Sequence, residues 1–410
     1  MLPEFVSRSR EQFPALRRQL NGQPIVYFDG PAGTQVPQSV GDAVSDYLLR
    51  HNANTHGAFA TSRETDALMD DAHAAVADLL GANYSDLIAF GANMTSLTFA
   101  LSRALARTWQ PGDEVIVSRL DHDANFSPWV LAAQDAGALV KEIDINFDDC
   151  TLDIDDFRSK LSSKTKLVAV GCASNAVGSI NPVAEITRLA HEVGALVFLD
   201  AVHYGPHALI DVTDWDCDFL ACSAYKFFGP HVGILYGKRM LMETLRPYKL
   251  RPAPENLPGR WMTGTQNFEG IAGVVAAIEY LSQIAGGGGS RRDQLKAGFA
   301  KIVAYERSLS AHMLDGLAHN SDVKVYGITD SHRVGERLPT FSIRHKAMLP
   351  KQLAHYLGER GVFAWHGNYY ALPLTEVLGL EPEGAVRLGM VHYNTPEEVD
   401  RVLALLREIG

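Results

Sequence analysis

Apolar positions in the middle of the chain fall into short unbroken runs. "LIAF" (87–90), "VIVS" (115–118), "LVAVG" (167–171), "LVFL" (196–199), "FLACS" (219–223) and "GILYG" (233–237) are each four or five residues long. That length and texture predict strands buried on both faces. Between them the pattern changes to a helical period. "LTFALSRALA" (97–106) follows the first strand, and "SPWVLAAQDAG" (127–137) carries Ser127 and Pro128 as its start signal. In "NPVAEITRLAHEVGA" the residues Val183, Ile186, Leu189, Ala190 and Val193 share one face, with Asn181 as the expected cap and Pro182 opening the helix. Upstream, "TSRE" reads as a capping box with Thr61 as N-cap and Glu64 three positions on, starting a helix that runs to about Leu80. Strands alternating with amphipathic helices specify an α/β fold with a mainly parallel sheet covered by helices on both faces.

The pattern changes after "GGGGS" (286–290), a stretch that fits a flexible linker and also fits a loop ending a helix. "LPTFSIRH" and "AVRLGMV" read as strands and "PKQLAHYLGERG" as a helix. "TPEEVDRVLALLREI" reads as a last helix, started by Thr395, Pro396 and Glu398. This is a smaller α+β layer. The expected division is residues 1–50 as an N-terminal segment joining the small domain, 51–285 as the large domain and 286–410 as the small C-terminal α+β domain.

A chain of 410 residues is long enough for two cores. Its net charge of −11, with no basic cluster to offset it, argues against nucleic acid and anionic membrane as partners. No apolar run is long enough to span a bilayer, and the first twenty residues lack a signal-peptide core. The cysteines (Cys150, Cys172, Cys217, Cys222) form no CxxC pair and no disulfide framework, so a reduced, cytoplasmic setting is expected. Cys172 and Cys222 sit inside apolar strands and read as buried, inert thiols.

In open α/β sheets, ligands bind beyond the carboxyl ends of the strands. Five of those ends carry polar groups: "GANMTS" at a helix start, His122, Asn175, Asp200 with His203 after it, and Ser223, Tyr225 and Lys226. Each alone has an ordinary reading as a cap, a turn residue or a solvated side chain. One ligand uses all five together. Pyridoxal phosphate condenses with a lysine amine, its phosphate suits a helix N-terminus, and its ring nitrogen is kept protonated by a carboxylate. Its ring can stack on an imidazole. His203 and His207 are four apart, but Gly-Pro between them argues against a helical metal pair, and no metal is expected.

"YFDGPAGTQVP", "DHDANFSPW", "SNAVGSINPV", "LDAVHYGPH", "CSAYKFFGP", "TGTQNFEG" and "RLGMVHYNTPEEVD" together resemble, over nearly the whole chain, the class V aminotransferase group of pyridoxal-phosphate enzymes. The likeness is to the cysteine desulfurase branch and, more distantly, to isopenicillin N epimerase. The resemblance implies the aspartate aminotransferase-like fold with a seven-stranded sheet. It implies that Lys226 holds the cofactor as a Schiff base and moves protons, that Asp200 pairs with the ring nitrogen and that His122 stacks on the ring. It places Asn93, Met94, Thr95 and Ser223 at the phosphate, and His203 and Tyr225 around the cofactor. Asn175 and Arg387 would meet the carboxylate of a small amino-acid substrate. Thr265 would reach the phosphate of a neighbouring subunit, which implies a homodimer with shared active sites.

Three departures stand out. Desulfurases usually carry glutamine where this chain has His203, and histidine where it has Tyr225. They carry a mobile cysteine where "HGNYYALP" places Tyr370. His366, Tyr369 and Tyr370 read either as the substrate entrance or as a structural aromatic cluster. The persulfide-forming nucleophile is therefore missing, and a Cβ–S lyase acting by β-elimination leads the expectations. An aminotransferase or an amino-acid racemase or epimerase is the alternative. A cofactor-binding partner subunit without turnover is disfavoured by the intact Lys226 and Arg387.

Overall fold

The computed structural model describes residues 2–409. Seven strands form the main sheet: β1 (Ile88–Gly91), β2 (Glu114–Ser118), β3 (Leu139–Ile143), β4 (Thr165–Gly171), β5 (Leu196–Asp200), β6 (Phe219–Ser223) and β7 (Gly233–Gly237). Their order is β1-β7-β6-β5-β4-β2-β3. All run parallel except β7, which is antiparallel to both of its neighbours. Chain length explains the exception. Only residues 224–232 join β6 to β7, too few for the crossover that a parallel neighbour requires. That short connection carries Lys226.

The α-helices of nine residues or more are α1 (Gln38–Asp46), α2 (Ala60–Leu80), α3 (Met94–Ala106), α4 (Ser127–Ala136), α5 (Val183–Glu192), α6 (Phe268–Ser282), α7 (Arg291–Ala318), α8 (Pro350–Glu359) and α9 (Pro396–Arg407). Alternation along each strand decides which face is met. Ile88 and Phe90, with Val168, Val170, Val197 and Leu199, pack on α2, α5 and α6. Ala89, with Val115, Val117, Leu167, Ala169 and Phe198, packs on α3 and α4. Both faces are covered, which is why most strands read as continuous apolar runs. The edge strand β3, "LVKEI", is partly exposed and mixed in character, so it lacks that texture.

A second sheet holds β8 (Val323–Tyr326), β9 (Thr340–His345), β10 (Trp365–Gly367) and β11 (Ala385–Gly389) in the order β8-β9-β11-β10, all antiparallel. Its core is closed by α8, α9 and the end of α7. Val26–Tyr27 pairs in parallel with Val362–Phe363, and Asp29 bridges to Gly389, so the N-terminal segment crosses the end of β11.

Start signals held at α9, where Thr395 and Glu398 form the capping box and Pro396 opens the helix. Three others differ. The helix α2 begins at Ala60, one residue before Thr61, and Glu64 turns to His51 at 2.7 Å instead of closing a capping box. The loop ahead is tied by Ser62, whose hydroxyl donates to Asn54 O and accepts from the Gly57 N–H, so the chain already enters the helix at Phe59. Ser127 lies inside α4 and donates to the Asp123 carboxylate. Asn181 spends its Nδ2 on Gly171 O at 2.8 Å and does not cap α5. The glycine stretch 286–290 leads straight into α7, which Ser290 caps in a box with Asp293. Among the described residues no helix is long and apolar enough to cross a membrane.

Candidate active site

A cleft opens at the carboxyl ends of β4, β5 and β6. Asn93, Met94, Thr95, His122, Asn175, Asp200, His203, Ser223, Tyr225 and Lys226 line it, as do Asp121, Gly171 and Val202. The strand ends named from sequence thus converge on one space.

The anion end is built by α3. Asn93 is its N-cap, accepting from the Ser96 N–H at 2.8 Å, and the Met94 N–H donates to Ser223 Oγ at 3.0 Å. The Thr95 N–H, one position on, has no i−4 carbonyl to meet. With the helix dipole behind it, this terminus favours a phosphate. The close seat of Asn93 on the sheet depends on Gly233 of β7, where a Cβ would lie 2.3 Å from the Asn93 carbonyl carbon.

Asp200 ends β5, is buried, and accepts from the Val202 N–H at 2.8 Å. Burial pushes its pKa up to about 6, against the pull of that N–H and of Lys226. Lys226 is 8% exposed and donates to the carbonyls of Pro31 and Ala32. Burial, and then the charge of Arg387, bring its pKa down to about 7. A lysine in that range supplies free amine near neutrality, which both carbonyl addition and proton abstraction need. His122 accepts from the Ala124 N–H at Nδ1, 3.0 Å, so the neutral ring carries its proton on Nε2. Burial lowers its pKa to about 4, with Lys226 and Arg387 adding to the effect.

Arg387 on β11 is buried without a carboxylate partner among the described residues. It donates to Asn175 O at 2.9 Å and lies 4.5 Å over the ring of Tyr369. Burial lowers its pKa to about 10. Asn175 donates from Nδ2 to Tyr369 O at 2.9 Å, while its Oδ1 is buried and unpartnered. His203 hydrogen-bonds Thr340 Oγ1 through Nε2 at 3.0 Å and leaves Nδ1 buried and unpartnered. Two orphaned polar atoms and two buried cations without counter-ions, in one cleft and the wall behind Asn175, fit an anionic, polar ring compound and an amino-acid carboxylate. The residues present therefore fit pyridoxal phosphate.

Two residues lie apart. Thr265 is on an exposed loop and does not line this cleft. Tyr370 is 72% exposed and stacks on His122, ring centroids 5.5 Å apart at 21°. His203 and His207 meet edge to face at 5.3 Å, and His207 Nδ1 engages Glu306 at 2.8 Å. Among the described residues no group of three metal-ligating side chains occurs.

Two carboxyls were not anticipated. Asp121 is buried in the cleft wall, accepting from the Ser118 hydroxyl at 2.6 Å, and burial raises its pKa to about 7. Asp29 is half-buried, with Oδ1 enclosed and unpartnered, and its pKa rises to about 6 although Arg387 and Lys226 oppose the shift. Asp121 directly precedes His122 at a strand end, a signal the sequence did carry. Asp29 comes to Lys226 only through the crossing of the N-terminal segment.

Residues 26–402 match the family described as aminotransferase class-V. A cysteine desulfurase of Dickeya dadantii is 32% identical over 420 aligned residues, covering 98% of this chain and 96% of the relative. The apo structure of a cysteine desulfurase from Thermococcus onnurineus NA1 superposes with a TM-score of 0.87 at 26% identity, over 98% of this chain and 97% of that one. The S-sulfonic acid form of a cysteine desulfurase from Escherichia coli gives 0.84 at 27% identity, over 98% of each chain.

Proposed function

The chain belongs to the class-V aminotransferase family, and from that premise we propose that it cleaves the Cβ–S bond of cysteine-type amino acids by elimination. It is a pyridoxal-phosphate-dependent enzyme of the cysteine desulfurase-like branch. The elimination reading rests on one observation: no thiol reaches the cleft. Tyr370 stands on the loop at its mouth, and all four cysteines are buried and free. Burial pushes Cys150 up to about 11 and raises the Cys172, Cys217 and Cys222 thiols strongly as well. A sulfur acceptor must be an accessible thiolate. None of these qualifies.

Bound pyridoxal phosphate draws off the electrons of the substrate Cα–H bond, which makes that proton removable. The chain's own residues do the rest. Lys226 holds the cofactor and then, as free amine, takes the Cα proton. Asp200 keeps the ring nitrogen protonated. The Met94–Ser96 turn with Ser223 holds the phosphate, His122 covers one face of the ring, and Arg387 with Asn175 binds the substrate carboxylate. Loss of the sulfur substituent with its electron pair leaves a three-carbon fragment that ends, with water, as pyruvate and ammonia. The sulfur group leaves as a thiol.

Thr265, exposed in one chain, fits a second copy's phosphate site. An open apolar groove lined by Val36, Val40, Val44, Leu48 and Leu49 next to Tyr225 and His231 supports a homodimer. Four free thiols fit a cytoplasmic setting. The test is a screen of amino acids and cysteine S-conjugates followed through the cofactor absorbance. Sulfur-bearing amino acids are expected to change the spectrum and release thiol, and Lys226→Ala to do neither. Equal thiol release by Lys226→Ala would refute the reading.

A further inference from the structure

Residues 368–371 cross the mouth of the cleft beside His122. Tyr369 and Tyr370 are consecutive and both left-handed, with φ of 55° and 59°. Side chains rarely adopt that backbone once, and two in succession persist only when the surroundings hold them. Here four hydrogen bonds do so. Asn368 accepts from the Tyr370 N–H at Oδ1, 3.1 Å, and from the Ala371 N–H at its carbonyl, 2.8 Å. The Asp123 N–H donates to Tyr370 O at 2.6 Å, and Asn175 Nδ2 donates to Tyr369 O at 2.9 Å. The segment is thus pinned to the loop of His122 on one side and to the cleft wall on the other. The paired turn sends the rings to different places: Tyr369 under the Arg387 guanidinium, Tyr370 flat against the imidazole.

We propose that Tyr370 is a positioning residue, an outer plate against which His122 is held, and that residues 368–371 are the strap that carries it. His122 lines the cleft, so its stacking partner outside fixes the tilt of the ring inside. The hydrogen bond from Ala124 fixes only Nδ1 and leaves the ring free to swing about that contact. The flat stack removes that freedom and shields one face from water. The ring face of Tyr370 does this and its hydroxyl does not. The proposal deepens the reading above, since it adds that the inner face of His122 meets the cofactor, yet the strap can be tested without cofactor.

The groups facing His122 are Lys226 from the β6–β7 connection and Arg387 from β11, which lower its proton affinity by charge, and His203 after β5. Asp200 at the end of β5 lines the same cleft, and Asp121 and Asp123 flank His122 on its own loop. Burial is the larger cause. Tyr370→Ala admits water to the outer face and should raise the affinity of His122 for a proton.

The measurement is the titration of His122 by NMR of 13C-histidine-labelled cofactor-free protein, its signal assigned by loss in His122→Gln. Tyr370→Ala is expected to raise the midpoint by at least a tenfold change in proton affinity, and Tyr370→Phe to keep the wild-type midpoint. Asn368→Gly, which loosens the strap without touching the rings, should shift it in the same direction by less, and it decides the matter if Tyr370→Ala does not fold. An unchanged midpoint in Tyr370→Ala, or a Tyr370→Phe that behaves as Tyr370→Ala, would overturn the proposal. In the loaded protein, Tyr370→Ala should also alter the circular dichroism of the bound cofactor. A shifted midpoint with unaltered dichroism supports the strap and counts against contact between His122 and the cofactor.

Discussion

Lys226 and Arg387 are two buried cations in one cleft, and neither is ion-paired with a carboxylate among the described residues. Leaving buried charge uncompensated costs several kcal/mol per ion in principle, so such a pair persists where a ligand supplies the missing anions. Arg387 offers a planar fork, with one nitrogen already committed to Asn175 O. Arg387→Lys keeps the charge and loses the two-point contact, so the half-saturating concentration of an amino-acid substrate should rise about tenfold or more. A simple amine of the same size should be indifferent to the change, and steady-state kinetics on both would decide. Asp200→Asn should still bind cofactor on Lys226 but lose about a hundredfold or more in turnover, because a neutral amide cannot hold the ring nitrogen charged. Near-normal turnover would remove that role. Lys226, Asp200 and His122 were legible in the sequence because a strand end announces itself by an apolar run that stops at a polar residue. Asp29 was not, since its environment is set by a carbonyl contact 195 positions away, between Pro31 and Lys226. Tyr370 was legible as a departure, but its stack on His122 depends on two left-handed residues that tyrosine does not signal.

At the scale of elements, the site depends on how closely α3 sits on the sheet. Gly233 pairs with Ser223 on one side and Gly91 on the other, directly beneath Asn93. Gly233→Ala places a methyl against backbone that cannot move aside as a side chain could. The start of α3 should lift, weakening cofactor binding through the phosphate and costing about 1–3 kcal/mol of stability. Cofactor titration and thermal melting of the variant check both, and wild-type values in both would show that the cradle does not need this contact. Sequence patterning located most strands of the main sheet because both faces are covered. It missed β3, because an edge strand is half solvated and lacks an unbroken apolar run. The helix α6, "FEGIAGVVAAIEYLS", is buried on most sides and so shows no polar face. Cap positions missed by two residues at α2 and by one at α4, because Ser62 and Asp123 hold the preceding loops through side-chain bonds that no local pattern encodes. We retain a domain boundary near residues 286–290 as a proposal, with α7 packing against both layers.

At the scale of the whole molecule, titratable groups around the cleft pull the pH response of the cofactor-free protein in opposite directions. Asp29, Asp121 and Asp200 have pKa values raised to about 6, about 7 and about 6. Each binds more protons folded than unfolded above the ordinary carboxylate range, so stability falls as pH rises toward 7. Lys226, lowered to about 7, binds fewer protons folded than unfolded between there and its ordinary 10.5, so its contribution rises with pH over that window. His122, lowered to about 4, binds fewer protons folded than unfolded up to its ordinary 6.5 and so opposes the carboxyls over that window. Asp200→Asn should soften the acid-side limb and Lys226→Met flatten the alkaline one, each on the order of 1–3 kcal/mol. Urea unfolding at three pH values reads each difference from the parent protein, and pH slopes that neither variant changes would contradict it. The measurement that bears most directly on the central claim is the product balance with a cysteine S-conjugate and with cysteine itself. The account predicts thiol or sulfide, pyruvate and ammonia in equal amounts, with no added sulfur on the intact protein by mass. Alanine in amounts matching the released sulfur, together with a persulfide on any of the four cysteines, would contradict it. So would keto-acid exchange or loss of chirality with no cleavage of a C–S bond.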